Sequence, residues 1–166
     1  MSDYCKPVPC EWPREKVQET AEEIAKIVGY EPSEANKLSE IVKALGGSIK
    51  VGEWDSTENG GSLVVERDGK FTIYLSPLSG GRRNKFTLAH ELGHYFLHSN
   101  CGEKQIKVDR KGSDRLEWEA NWFAAGFLMP KSEFKKFVDR RWDDSALAGH
   151  FGVSEAAVAI RRKAIH

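Results

Sequence analysis

Between Gly46 and Gly81 the apolar residues of this chain recur with a period near two, and on both sides of that window they recur with the period of a helix. A strand sends alternate side chains to opposite faces, whereas a helix gathers i, i+3 and i+4 on one side, so the two patterns are not interchangeable. Ile49 with Val51, Leu63 to Val65, and Phe71 with Ile73 and Leu75 therefore read as three short strands. Asp68-Gly69 is a two-residue hairpin signal joining the last two. Polar loops over 55–61 and 77–81 punctuate the window, and the expected arrangement is a small antiparallel meander. Strands confined to one window, with helices before and after, predict an α+β fold.

A first helix follows Pro13, with Val17, Ala21, Ile24, Ala25 and Val28 on one stripe and Gly29 as its stop. A second is expected from about Pro32 to Leu45, with Leu38, Ile41, Val42 and Leu45 inward and Gly46-Gly47 ending it. At 166 residues the chain suffices for one domain with its own core. The expected organisation is an irregular segment over 1–14, a body over 15–142 and a C-terminal helical hairpin over 143–166.

Composition narrows the function. Lys plus Arg equals Asp plus Glu at 25 each, so no global basic field holds a phosphate backbone, and DNA binding is not expected as the principal role. No apolar run reaches the roughly 18 residues of a membrane span, and the first thirty residues lack the layout of a signal peptide. The cytoplasm is the expected compartment. Cys5, Cys10 and Cys101 are too few to staple a chain of this size and read as reduced thiols.

Chemistry begins in the helix-compatible stretch from Asn84 to His98, which contains His90-Glu91-Leu92-Gly93-His94. Residues i and i+4 of a helix lie about 40° apart in projection and one turn apart along the axis, so both imidazoles face one point. That is the bite a tetrahedral zinc requires of two nitrogens about 2 Å away. Glu91 stands about 100° round from His90, beside such a metal, where a carboxylate can act as general base. Leu88, Leu92 and Tyr95 fall on the opposite face and anchor the helix. Gly93 costs helix stability of about 1 kcal/mol relative to alanine, which points to close approach of another backbone or of a substrate.

A catalytic metal needs a third protein ligand. The helical stretch 116–129, ended by Pro130, carries Leu116, Ala120, Phe123 and Phe127 on its apolar stripe, with Glu117 and Asn121 one turn apart on a flanking face. Glu117 can ligate while Asn121 bonds a ligand histidine. Glu119 competes, but it projects about 200° away, so only one of the two faces the site. A solvated helix charge is the ordinary fate of either.

Phe86-Thr87-Leu88-Ala89-His90-Glu91-Leu92-Gly93-His94, then Glu117-x-Glu119-Ala120-Asn121-x-Phe123-Ala124-Ala125, then Leu128-Met129-Pro130, resembles the ImmA/IrrE family of metallopeptidases over roughly residues 15–160. The resemblance implies a zincin-like α+β fold with an active-site helix. It also implies a thermolysin-like metal site with His90, His94 and Glu117 as ligands, Glu91 as catalytic base and Asn121 behind the ligands. It further implies zinc, or manganese in a site of this ligand set. Bacterial or mobile-element proteins of this type cleave a repressor of the XRE helix-turn-helix class, and such a repressor is the expected partner.

An oxyanion-stabilising donor is not marked by spacing: Tyr74, Tyr95, His98 and His150 are all available, each equally a packing or surface residue. The strand Phe71–Leu75 is expected to offer a backbone edge to extended substrate. The basic stretch from Lys104 to Arg115 reads as a solvated loop bridging the two ligand helices. From Ser145 to Val158 the pattern is helix, turn at Gly152-Val153, Ser154 N-cap and second helix, which fits a helix-turn-helix or a hairpin packed on the body. The early positions of the second helix, Glu155, Ala156 and Ala157, are poor base readers. The rival function is a regulatory binding protein that acts through these helices with a structural or vestigial metal site.

Overall fold

The computed structural model describes residues 4–32, 37–52, 61–76, 81–109 and 114–165. In chain order the elements are α1 (Arg14–Val28), α2 (Lys37–Ala44), β1 (Gly47–Val51), β2 (Gly61–Val65), β3 (Phe71–Leu75), α3 (Gly81–Gly93), a π-helical turn (His94–His98), β4 (Ile106–Asp109), α4 (Arg115–Leu128), α5 (Lys131–Asp139), α6 (Asp144–Phe151) and α7 (Glu155–Ala164). This is the α+β architecture that the two periods predict. The loops read over 55–61 and 77–81, and the start of the second helix before Lys37, fall largely outside the described residues.

The sheet corrects the expected meander. Its order is β1-β3-β2-β4, with β1 parallel to β3 and the other pairs antiparallel. Asp68-Gly69 does close a β2–β3 hairpin, with Gly69 at φ 85° donating its N–H to the Glu66 carbonyl at 3.0 Å. A period of two tells which face a side chain takes but not which strand lies alongside. β3 buries Phe71, Ile73 and Leu75 and takes a neighbour on each side, whereas β1 is mostly exposed beyond Gly47 and suits an edge. Gly47 admits the Phe71 ring, since a Cβ there would stand 2.5 Å from it.

The basic stretch after Lys104 also differs from expectation. Ile106 and Val108 are buried and alternate with exposed neighbours, making β4 beside β2. Flanking lysines hide so short an alternation from a pattern reading, and residues 110–113 lie outside the described residues.

The core is sealed by helices packed at close range. α4 lies against both α1 and α3, and two glycines set the spacing. A Cβ at Gly126 would stand 2.6 Å from the Gln18 carbonyl oxygen of α1. One at Gly93 would stand 3.0 Å from the Phe123 Cβ and 3.2 Å from the Ala120 Cα of α4. The close backbone approach inferred for Gly93 is thus made by the helix that carries Glu117.

α5, which buries Phe134 and Phe137, is not anticipated by the sequence reading. The C-terminal hairpin forms as its punctuation predicts, with Gly152 left-handed at φ 70° and the Ser154 hydroxyl accepting from the Ala157 N–H at 3.1 Å. It rests on α3: Lys85 donates to the Phe151 carbonyl at 3.0 Å and Arg82 to the Val153 carbonyl at 3.3 Å.

Candidate metal centre

α3 and the π-helical turn that continues it deliver His90 and His94 fully buried, with Glu91 1% exposed between them, and Leu88, Leu92 and Tyr95 are buried as well. The helix does not stay α-helical to His98. From His94 it widens to a π-helical turn closed by the Ser99 N–H on the His94 carbonyl at 3.0 Å. Such single turns concentrate at functional sites. Here it keeps the His98 ring against the His94 ring, with centroids 5.0 Å apart.

α4 supplies the carboxylate. The Asp114 side chain caps the helix by accepting from the Glu117 N–H at 3.1 Å, which fixes the first turn and the direction of Glu117. Glu117 Oε2 lies 3.0 Å from His90 Nε2, and its Oε1 lies 3.1 Å from His94 Nε2. Burial pushes the Glu117 carboxyl up, but the His90 and His94 imidazoles beside it outweigh that and hold the group well below the usual carboxylate range. One turn on, Asn121 Oδ1 lies 2.8 Å from His90 Nδ1.

These three side chains fit a divalent metal. One ligand atom from each of His90, His94 and Glu117 lies within 4.8 Å of the others. Two donors each about 2 Å from a tetrahedral ion stand roughly 3.3 Å apart, close to the separations observed. His90 Nε2 is buried without a hydrogen bond of good geometry although Glu117 is near, as expected of a lone pair aimed at an ion. Two imidazole nitrogens and one carboxylate form a borderline donor set that suits zinc and its neighbours.

Glu119, the competing candidate, faces elsewhere. It is fully buried, and its Oε1 lies 2.8 Å from His98 Nε2, whose Nδ1 is 2.8 Å from His94 Nδ1. Arg115 donates to Glu119 at 3.0 Å, and the backbone N–H groups of Cys10 and Glu11 donate to it at 2.9 and 2.8 Å. The segment before α1 is therefore tied down, and Cys5 also bridges to Ile106 of β4. Burial and the neighbouring His94 push the His98 imidazole down to about 4, against the pull of Glu119. The part played by His98 and Glu119 was not foreseen. Its only trace in the sequence is that His94 and His98 repeat the i, i+4 spacing of His90 and His94.

The remaining candidates part ways. Tyr95 stacks on Phe71 with centroids 4.3 Å apart and donates to the Cys101 carbonyl at 3.2 Å, a packing role. His150 pairs with Glu133 at 2.8 Å within a cluster of Phe137, Trp142 and Phe151. β3 offers no backbone edge to substrate, because β1 and β2 flank it on both sides.

Residues 48–163, more than half of the chain, match the family model described as the IrrE N-terminal-like domain of peptidases. The chain belongs to that family. A relative of this IrrE N-terminal-like domain, Metallopeptidase ImmA of Bacillus subtilis (strain 168), is 31% identical over 68 residues, which are 40% of this chain and 40% of the relative. Among solved structures, a Mycobacterium tuberculosis transcriptional regulator superposes with a TM-score of 0.65 at 18% identity, covering 91% of this chain and 47% of that one. At that identity the likeness establishes the fold. The chain thus spans less than half the length of either protein. The family match takes in His90, Glu91, His94, Glu117 and Asn121 and leaves α1, α2 and the segment before them outside.

Proposed function

We propose that this IrrE N-terminal-like domain is a zinc-dependent endopeptidase and that its substrate is a transcriptional repressor of the XRE helix-turn-helix class. The observation that carries the enzymatic reading is Glu91. It is a buried carboxylate that stands in sequence between the two ligand histidines, where a purely structural metal site has no use for a second acid.

In this reading His90 and His94 bind through Nε2, and Asn121 orients His90 by accepting from its Nδ1–H. Glu117 supplies the anionic ligand. Zinc held there supplies Lewis acidity toward the scissile carbonyl, and manganese satisfies the same donors. Glu91 takes a proton from the attacking water on its carboxylate and returns it to the leaving amine. The repressor substrate rests on the resemblance to the ImmA/IrrE peptidases, and the cytoplasm is where such a substrate is met. Among the described residues no helix is long and apolar enough to cross a membrane.

The binding-protein alternative is weakened by α7. Arg161 on that helix is 2% exposed and donates inward to the Met129 carbonyl at 3.0 Å and to Glu22 at 3.2 Å, so this face of the helix serves docking on the body.

Glu91→Gln preserves size and helix propensity and removes the base. Co-expression with a helix-turn-helix repressor encoded beside the gene should yield a discrete fragment with the wild type. The variant should lose turnover by about 10²- to 10⁴-fold while it retains zinc and still binds the intact repressor. A variant that relieves repression as well as wild type, with the repressor uncut, would establish the binding-protein reading instead.

A further inference from the structure

The metal ligand His94 stands at the end of a buried chain of polar groups that its own role does not require. Its Nδ1 is 2.8 Å from His98 Nδ1, His98 Nε2 is 2.8 Å from Glu119 Oε1, and both imidazoles and the carboxylate are shielded from solvent. We infer that His98 and Glu119 are positioning residues that fix the tautomer and ring orientation of His94 for metal binding, with Glu119 itself anchored by the segment preceding α1. This rests on the reading of His94 as a ligand through Nε2.

The hydrogen positions follow from the donor inventory. A carboxylate accepts only, so the proton between His98 and Glu119 sits on His98 Nε2. A neutral His98 with its proton there has a bare Nδ1, which can only accept. The proton between the two Nδ1 atoms therefore belongs to His94, and a neutral His94 keeps its Nε2 lone pair for the metal. That lone pair points toward Glu117, 3.1 Å away, where the metal donors converge. Reversing either proton would place two N–H groups face to face or remove the lone pair from the metal side. His90 reaches the same tautomer by a shorter route, through Asn121.

The far end of the chain is built for permanence. Glu119 accepts from Arg115 and from two successive backbone N–H groups, those of Cys10 and Glu11. Glu11 adopts φ 63°, a left-handed conformation uncommon for a residue with a side chain, and Arg115 also donates to the Trp12 carbonyl at 2.6 Å. The N-terminal segment, which precedes the residues matched to the family, thereby reaches the metal centre through one carboxylate.

Two variants and one spectrum test this. His98→Phe fills the ring volume without an acceptor, and His98→Gln restores an acceptor oxygen. Outer partners of ligand histidines are typically worth about 10- to 100-fold in metal affinity. Zinc titration against a competing chelator should show His98→Phe weakened by that amount and His98→Gln recovering most of the loss. Both should shift the melting temperature of the metal-free protein similarly, which a merely structural role would also do. In the zinc-loaded wild type, proton–nitrogen correlation of the imidazoles should place the His94 proton on Nδ1 and the His98 proton on Nε2. Zinc bound equally tightly by wild type and His98→Phe, or a His98 proton on Nδ1, would overturn the relay alone. A wild type that takes up no zinc would overturn both the relay and the ligand assignment beneath it.

Discussion

Glu117 and Glu119 sit two residues apart on α4, both buried and both against histidine rings, yet they are different kinds of group. Glu119 has an N–H donor from every side: His98, Arg115, Cys10 and Glu11. Glu117 meets only the two Nε2 atoms of His90 and His94 among the described residues. A carboxylate with four fixed donors is a satisfied structural group, and removing it strands all of them. One that meets only nitrogens whose opposite sides are already engaged has spare capacity, which a bound ion would fill. Burial does not separate the two, at 7% and 0% exposure; the donor inventory does.

The largest expected effects break that comparison on the metal side. His90→Ala or His94→Ala should abolish zinc retention, and Glu117→Gln should weaken it strongly. Glu119→Gln, which keeps an acceptor for His98, should be mild. Metal analysis of the purified variants checks this, and the reverse order of the two glutamates would exchange their roles.

Stability of the metal-free protein should rank them the other way. Glu119→Ala leaves the buried His98 ring and two backbone N–H groups without their acceptor and breaks the Arg115 ion pair, and should cost about 3–5 kcal/mol. Glu117→Ala should cost far less, because it relieves a buried charge. Denaturant melts in the presence of a chelator measure both. Equal losses would mean that Glu117 is also a structural group.

Both carboxylates reach α3 only because the helices touch at Gly93, so the next effect tests that contact. Gly93→Ala should destabilise by roughly 1–3 kcal/mol despite better helix propensity, since its Cβ meets Phe123 and Ala120 at 3.0 and 3.2 Å. Gly149→Ala on α6, whose nearest neighbour is an Arg82 nitrogen at 4.0 Å, should instead stabilise by up to about 1 kcal/mol. Thermal melts that give the two the same sign would rule out a tight contact at Gly93.

The last effect concerns pH. The His98 imidazole is pushed down to about 4, below its ordinary 6.5, so between these values the unfolded chain holds a proton that the folded one refuses. Stability of the metal-free protein should therefore fall as pH drops through that window. His98→Gln should flatten the slope, which melts at several pH values would register.

Local rules decided much of this protein. The i, i+4 pair His90 and His94, the Glu117 and Asn121 turn, the Asp68-Gly69 hairpin and the Ser154 cap all depend on a few consecutive residues, and each stands where its spacing predicts. Even the meaning of Gly93 could be read, because a glycine inside a helix asks for a neighbour at close range. What the sequence left open were relations between segments distant in the chain. Alternation assigns faces but not neighbours, so β1 joined β3 in parallel and closed the edge expected to be free. Four residues among lysines were too short to announce β4. Glu119 reads in sequence as a rival ligand or a solvated charge, because the two backbone N–H groups it accepts come from residues more than a hundred positions earlier. A carboxylate's partners are set by where the backbone passes, and only the packed chain determines that.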